Sequence, residues 1–354
     1  VSCDTFFSPR DSLKARLRYT VRMGAPTLID TVEYVGFSPR TDRILRAARR
    51  HSVLRPGSPF NVPDLDAERT RVSNLLRNAG LYYFRPDYLT YQADTARRPG
   101  PYVSLRMTPL SGMPSQAEKP FRLGRKSVYL YGRDGQPPTD SLLYRGVRVY
   151  YHGPRPYVRP SMLHRWTDYS HFRYKRPQAD SSYTGRPASA RSGLYSLHRQ
   201  NRVQERLAQT GVFRSMDIGF TPRDTSARCD TLDVAIRLTP ARRYDARLDF
   251  NLKLKSNNQV GPGAAFTLSR LNAFGGGERW EVELTGAYEW QTGGGAASSM
   301  NSYQYGVSTS LVFPRIMFPR LGGHEYDFPA TTAFSLYALQ QDRARYYKLL
   351  AFGG

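Results

Sequence analysis

Between Tyr244 and Lys255 every second side chain is apolar. Tyr244, Ala246, Leu248, Phe250, Leu252 and Leu254 share one parity; Asp245, Arg247, Asp249, Asn251, Lys253 and Lys255 share the other. Successive side chains of a strand leave on opposite faces, so this run specifies a strand with one greasy and one wet face. A helix would mix the two sets. Glu278–Gln291 repeats the pattern, with Trp280, Val282, Leu284, Tyr288 and Trp290 opposing Arg279, Glu281, Glu283, Glu289 and Gln291. Tyr303, Tyr305, Val307, Thr309, Leu311 and Phe313 make a third apolar face, while Val260–Phe274 and Thr331–Gln340 read as strands of weaker alternation.

These strands are long. The soluble mode is about five or six residues, whereas a tilted strand crosses a bilayer in about 9–11. Trp280, Tyr288 and Trp290 stand near strand ends, where aromatic girdles meet the lipid–water interface. A soluble antiparallel sandwich also alternates. Charged faces set against unbroken aliphatic ones suit a wet lumen and a lipid exterior better. Connections at Ser256–Gln259 and Phe274–Gly277, alternating with a longer Gly/Ser loop at Gly293–Ser302, agree. Five strands cannot close a membrane barrel, whose smallest members use eight, so the chain is expected to be truncated at both ends. No apolar run reaches the roughly 18 residues of a membrane-spanning helix. The opening VSCDTFFSPRDS lacks the charged start and apolar core of a signal peptide.

The front of the chain repeats itself. Arg71-Val72-x-x-x-Leu76-x-x-x-Gly80 recurs as Arg202-Val203-x-x-x-Leu207-x-x-x-Gly211, 131 positions on. At the same offset Val103-x-Leu105-Arg106-Met107-Thr108-Pro109 recurs as Val234-x-Ile236-Arg237-Leu238-Thr239-Pro240. In the first copy, Leu28–Phe37 reads as a strand and Thr41 to His51 as a short helix. Asn61-Val62-Pro63-Asp64 opens a second helix that Gly80 closes in a left-handed conformation. Leu81–Tyr91 reads as an edge strand because Pro86 lies inside it, and Tyr102–Thr108 as the last strand. The order is β-α-α-β-β. The second copy, from about Lys126 to Pro240, places a strand at Arg145–His152, helices at Arg159–Trp166 and Leu197–Thr210, and strands at Val212–Phe220 and Thr231–Leu238. A polar insert from Lys175 to Ser192 interrupts it, and a linker at Ser111–Pro120 separates the copies. Upstream, Lys14–Val21 reads as the closing strand of an earlier copy.

Charge follows the same division. Of 52 Lys and Arg and 29 Asp and Glu, residues 243–354 hold 11 and 9, which leaves the front at +21. A surface for nucleic acid or anionic lipid is one reading of that excess. Only seven of the 52 cations are Lys, and a solvated, arginine-enriched surface is the simpler reading. The 40% hydrophobic content supports packed cores. Two cysteines, Cys3 and Cys229, exclude a disulfide scaffold or a cysteine zinc module. Six histidines (His51, His152, His164, His171, His198, His324) include no H-E-x-x-H. Gly261-Pro262-Gly263 and Gly275-Gly276-Gly277 are followed by no phosphate-loop motif and read as tight turns. No G-x-S-x-G elbow occurs. No enzyme, metal or cofactor is expected.

Taken together these residues resemble the BamA/TamA superfamily of outer-membrane assembly factors. The carrying segments are Phe60-Asn61, Gly80 with Leu81-Tyr82-Tyr83-Phe84, Gly211 with Val212-Phe213-Arg214, and Asn272-Ala273-Phe274-Gly275-Gly276-Gly277-Glu278. Phe121–Gly124 through Val128–Tyr131, then Leu143–Val147, look like the Bacteroidetes-type branch. The resemblance implies an α+β fold of POTRA repeats (β-α-α-β-β) followed by an antiparallel transmembrane β-barrel, incomplete in this chain. Its divisions would be 1–24, 27–110, 121–241 and 243–354. It also implies periplasmic repeats that receive unfolded β-barrel precursors on exposed strand edges, and a first barrel strand that templates their insertion at a seam. The backbone of Leu248, Phe250 and Leu252 is the candidate seam, Tyr82, Tyr83, Phe84 and Tyr88 the candidate capture edge, and Trp280, Tyr288 and Trp290 the lipid girdle. The implied partners are unfolded outer-membrane protein precursors, outer-membrane lipid, and periplasmic or lipoprotein accessory subunits. The alternatives are a two-partner-type secretion transporter of the same architecture and a soluble basic nucleic-acid binder, for which no recognition helix or RNA-binding motif stands.

Overall fold

A computed structural model describes residues 2–8, 11–20, 25–168, 193–226, 228–254, 259–291, 301–317, 331–343 and 346–354. It is mostly β-sheet with four short to medium α-helices among those residues, and it divides into two compact units, Val1–Lys119 and Pro120–Gly354. The polar insert Lys175–Ser192, His171, His324 and most of the expected loops at 256–259 and 293–302 lie outside the described residues.

The first unit opens with an antiparallel hairpin, β1 (Ser2–Ser8) with β2 (Asp11–Thr20). Then come β3 (Leu28–Tyr34), α1 (Pro39–Ala47), α2 (Val62–Asn78), β4 (Leu89–Asp94) and β5 (Tyr102–Pro109). The sheet order is β3-β5-β4, with β3 parallel and β4 antiparallel to β5. Local chemistry sets the ends of α2. The Asn61 side chain accepts from the Asp64 N–H at 2.8 Å, an N-cap that satisfies one of the four free donors. At the other end Gly80 takes φ +108°, the Leu81 N–H reaches the Leu76 carbonyl at 3.2 Å, and the Gly80 N–H reaches that of Arg77. That is a Schellman closure. Its apolar contact is present too, since Leu76 and Leu81 are both fully buried.

This closure corrects the expected strand at Leu81–Tyr91. After Gly80 the chain drops Leu81 and Phe84 into the core, and Pro86–Tyr88 forms a 3₁₀ turn. The strand starts only at Leu89 and is an edge, β4. Tyr82, Tyr83, Phe84 and Tyr88 therefore belong to no strand.

The second unit contains β6 (Arg122–Leu130), β7 (Asp140–Tyr144), β8 (Val147–Tyr151), α3 (Pro160–Trp166), α4 (Leu197–Gln209), β9 (Phe213–Pro222) and β10 (Thr231–Pro240). Their sheet runs β7-β8-β6-β10-β9. The duplicated positions do the same work in both copies. Val72 and Val203, Leu76 and Leu207, Val103 and Val234, Leu105 and Ile236, and Met107 and Leu238 are all buried. Gly80 and Gly211 both take positive φ. In each copy the final strand pairs parallel with the opening one and antiparallel with its predecessor. By that topology the opening strand of the second copy is β6, not Arg145–His152. Val128 lies beside Ile236 as Val32 lies beside Leu105. The β7–β8 hairpin is an addition that widens the sheet on the far side of β6. Arg122, Gly124, Arg125 and Lys126 disguise the alternation of β6, whose burial becomes complete only at Val128 and Leu130.

The remaining strands form one antiparallel meander: β11 (Tyr244–Leu254), β12 (Gln259–Leu271), β13 (Arg279–Gln291), β14 (Ser302–Phe313), β15 (Thr332–Arg343) and β16 (Tyr347–Gly353). Six strands are described, one more than the alternation foretells, because Tyr347–Gly353 carries apolar residues on both parities. The described sheet does not close. Gly261-Pro262-Gly263 lies inside β12 and not in a turn. No described helix is long and apolar enough to cross a membrane, which says nothing of strands.

Candidate functional site

Register carries the alternation of single strands into a two-faced surface. Leu248, Phe266, Leu284, Val307, Ala338 and Phe352 are neighbours across all six strands. One row away lie Ala246, Leu268, Val282, Thr309 and Leu336. The opposite face carries Asp245, Ser269, Glu281, Ser310 and Ser335, then Arg247, Thr267, Glu283, Ser308 and Tyr337. A slip of one residue in β11 or β13 would move Asp245, Arg247 and Asp249 or Glu281 and Glu283 into the apolar rows, so the register of those strands is strongly specified. Among the described residues no packed core covers the apolar rows: Leu248, Phe250 and Leu252 are 56%, 78% and 64% exposed. So large an exposed apolar surface is the mark of an interaction with lipid or protein.

Aromatics bracket this band. Near one end Tyr244, Arg270 and Trp280 are neighbours in one row, with the Arg270 guanidinium 5.7 Å from the Tyr244 ring centre. Trp280 Nε1 donates to Thr309 Oγ1 at 2.9 Å. Near the other end Tyr288 packs at 5.7 Å from Trp290 and 5.0 Å from Tyr303. Ten residues separate Trp280 from Trp290. At about 3.4 Å per residue and a tilt near 40° that spans roughly 26 Å, the height of the apolar band of a membrane barrel. On β15 the same parity carries Gln340 and Asp342 in the rows of Gly286 and Tyr288, where the greasy face ends on that strand.

Within the described sheet β11 pairs on one side only, with β12. Leu248, Phe250 and Leu252 lie in its middle, and every residue of the strand is exposed. The outer N–H and C=O groups of such an edge are a ready template for another strand. The neighbouring strand is unusual. Pro262 pairs with Leu252, and contact from β12 to β13 skips from Val260–Trp290 to Gly263–Ala287. Proline offers no N–H and normally avoids central strands, and the pairing that is interrupted around it is β12–β13, while β11–β12 stays in continuous register. Sequence reading treats these residues as a turn and misses this; the signal, a proline flanked by glycines within a long alternating run, is there.

At the aromatic-and-arginine end the sheet is fastened to the module before it. The β12–β13 turn is organised by its own side chains. Asn272 Oδ1 accepts from the Gly277 N–H at 2.9 Å, and Glu278 Oε2 accepts from the Gly276 N–H at 2.8 Å. Asn272 Nδ2 donates to the Tyr157 carbonyl at 2.6 Å, and the Arg159 N–H donates to the Gly275 carbonyl at 2.8 Å. The Ala241 N–H reaches the Val212 carbonyl at 2.8 Å. The segment Asn272–Glu278 is thus a joint, built from residues that carry the family resemblance.

The candidate capture residues fare differently. Tyr82 and Tyr83 meet edge to face at 4.9 Å, Phe84 packs on Tyr88 at 6.2 Å, and all four serve the α2–β4 connection. The edge strands of that sheet are Leu28–Tyr34 and Leu89–Asp94. Among the described residues no group of three or more His, Cys, Asp or Glu could hold a metal ion.

No protein-family model matches this chain, and no curated protein matches it. Among solved structures it is similar to BamA from Haemophilus ducreyi lacking POTRA domains 1–3, at a TM-score of 0.43 and 13% identity over 90% of this chain and 60% of that one. CdiB from Acinetobacter baumannii gives a TM-score of 0.35 and 9% identity, covering 93% of this chain and 56% of CdiB. POTRA domains 3–5 of Haemophilus influenzae BamA give 0.31 and 14%, covering 67% of this chain and 70% of that one. The chain thus spans about three fifths of the length of those BamA and CdiB chains.

Proposed function

We propose that this chain is part of an outer-membrane protein assembly factor, with POTRA repeats in the periplasm and the β11–β16 sheet as the opening strands of a transmembrane β-barrel. The observation that carries the reading is the set of continuous apolar rows, of membrane-crossing length, ending at an open strand edge. In lipid every backbone polar group needs a partner, so a β-structure can enter only if its edges are paired throughout. An edge such as β11 supplies that pairing to an incoming strand regardless of its sequence, since the bonds are main chain to main chain. Templating then needs no nucleotide hydrolysis; burial of the incoming strand's apolar face supplies the driving force. The β4 edge is a second main-chain template, in water, for holding a precursor beforehand. Unfolded outer-membrane precursors are the partners, and lipid is the medium.

The test has two arms. Full-length protein should float with outer-membrane vesicles, resist carbonate extraction and migrate differently when boiled; full solubility without detergent would defeat the barrel. Cysteines introduced singly at Leu248 and Phe250 should crosslink to a terminal strand of a precursor refolding into the same vesicles. Crosslinks to an exported polypeptide inside the pore, with none to a precursor strand at β11, would assign the chain to secretion instead.

A further inference from the structure

A cavity of about 330 Å³ lies at the joint end of the polar face of β11–β13. Arg242, Arg243, Arg247 and Arg279 line it with Asp245 and Glu281, and Thr267 and Ser269 add hydroxyls. We infer that this cavity is a binding site for an acidic peptide segment, which it holds through its arginines on the polar face of β11–β13.

Four arginines face two carboxylates, in a part of the chain that is otherwise almost neutral. Local pairing consumes only part of this charge. Arg247 Nε lies 3.1 Å from Asp249, and Arg279 Nη1 lies 3.8 Å from Glu281, beyond hydrogen-bond reach. The Arg243 guanidinium stacks 5.4 Å from the Tyr157 ring centre, which fixes its orientation, and its Nε is buried without a hydrogen-bond partner among the described residues. Arg242 and Arg243 come from the short connection between β10 and β11, which the Ala241–Val212 bond ties down. Guanidinium groups held this way take carboxylates in a forked geometry with little loss of freedom.

The mixed lining favours a peptide over a simple anion. Asp245, Glu281, Thr267 and Ser269 can accept main-chain N–H groups that flank an acidic side chain. The face favours a peptide over a lipid headgroup. Asp245, Arg247, Thr267, Ser269 and Glu281 all stand in the polar rows, opposite Leu248 and Phe266. A lipid would meet the apolar rows and their aromatic rim instead. The inference uses the two-faced sheet but does not require that β11 template a strand.

The experiment is fluorescence anisotropy of a labelled six-residue glutamate peptide with the full chain in neutral detergent, at about 50 and about 200 mM salt, where screening differs. We expect saturable binding that weakens with salt, about tenfold weaker in Arg242→Gln and in Arg243→Gln, the scale of one charge-assisted contact. Arg148→Gln, the same charge change on the sheet of the preceding module, should leave it unchanged. Arg243→Lys should recover part of the loss. Equal losses in Arg148→Gln and the cavity variants would reduce the effect to overall charge and overturn the site. So would competition by inorganic phosphate or by phosphatidylglycerol micelles as strong as by unlabelled peptide. Because binding is read in detergent, failure here leaves the vesicle-flotation result standing, and the reverse holds.

Discussion

Glu68 shows how one residue can hold a small module together. Its side chain is 0% exposed yet charged, and it accepts from Tyr34 Oη at 2.6 Å, the Val53 N–H at 2.9 Å and two Arg71 nitrogens at 2.8 and 2.6 Å. Burial by itself would raise the carboxyl's pKa, but those donors outweigh it and hold it below the ordinary value. A lowered pKa stabilises the fold fully above the unfolded value of about 4.3, and the contribution fades as pH falls through the folded one. Glu68→Ala strands Arg71, Tyr34 and Val53 and should cost about 3 kcal/mol. The check is hydrogen exchange at Val72 and Leu76, which should speed up roughly 100-fold at neutral pH, with the difference from wild type shrinking in acid. The equivalent position in the second copy is Arg199, also buried, so the network belongs to the first copy alone. Gly277 is a second single-residue case. It has φ +84°, and a Cβ there would stand 3.0 Å from the Trp166 ring and 3.1 Å from Pro314. Gly277→Ala should therefore loosen the joint and speed proteolysis between the module and the sheet, visible as a shorter fragment in limited trypsin digestion.

Among the elements, β11 and β12 set the sharpest expectations. Phe250→Glu or Leu252→Glu puts a charge on the apolar face, which at a bilayer midplane costs a few kcal/mol, whereas Lys253→Glu changes only the polar face. The first two should abolish heat-modifiable migration in outer-membrane fractions and the third should retain it; equal tolerance would mean the faces are exchanged. On β12, a Cβ at Gly261 would run into the Tyr288 carbonyl and the Glu289 backbone, while nothing lies within 4 Å of one at Gly286. Gly261→Val should thus prevent the sheet from assembling and Gly286→Ala should not, again read by heat modifiability. Element boundaries were legible wherever a cap or a strict period marked them, as at Asn61, Gly80 and Tyr244. They were hidden where tertiary burial overrode local pattern. Leu81–Tyr88 has the composition of a strand but plugs a core, and Arg122–Lys126 has the composition of a surface loop but enters a central strand.

At the scale of the whole chain, the 131-residue repeat and the break in charge at residue 243 were already visible in the linear order of residues. So was the fact that the rear strands are greasy on one side. A period of two can be read directly because each side chain's face follows from its parity alone. Alternation cannot say which strands are neighbours or in what register, since pairing joins residues far apart in the chain and depends on the turns between them. Only the folded sheet aligned Leu248 with Phe266 and Leu284 into one surface. Only the fold chose β6 over Arg145–His152 as the opening strand, because β6 and not β8 is the parallel neighbour of the final strand β10. The joint at Asn272–Glu278 and the arginine cavity beside it likewise exist only once β10, β11 and β13 converge. Local sequence determined the faces, and long-range pairing decided what those faces were brought together to do.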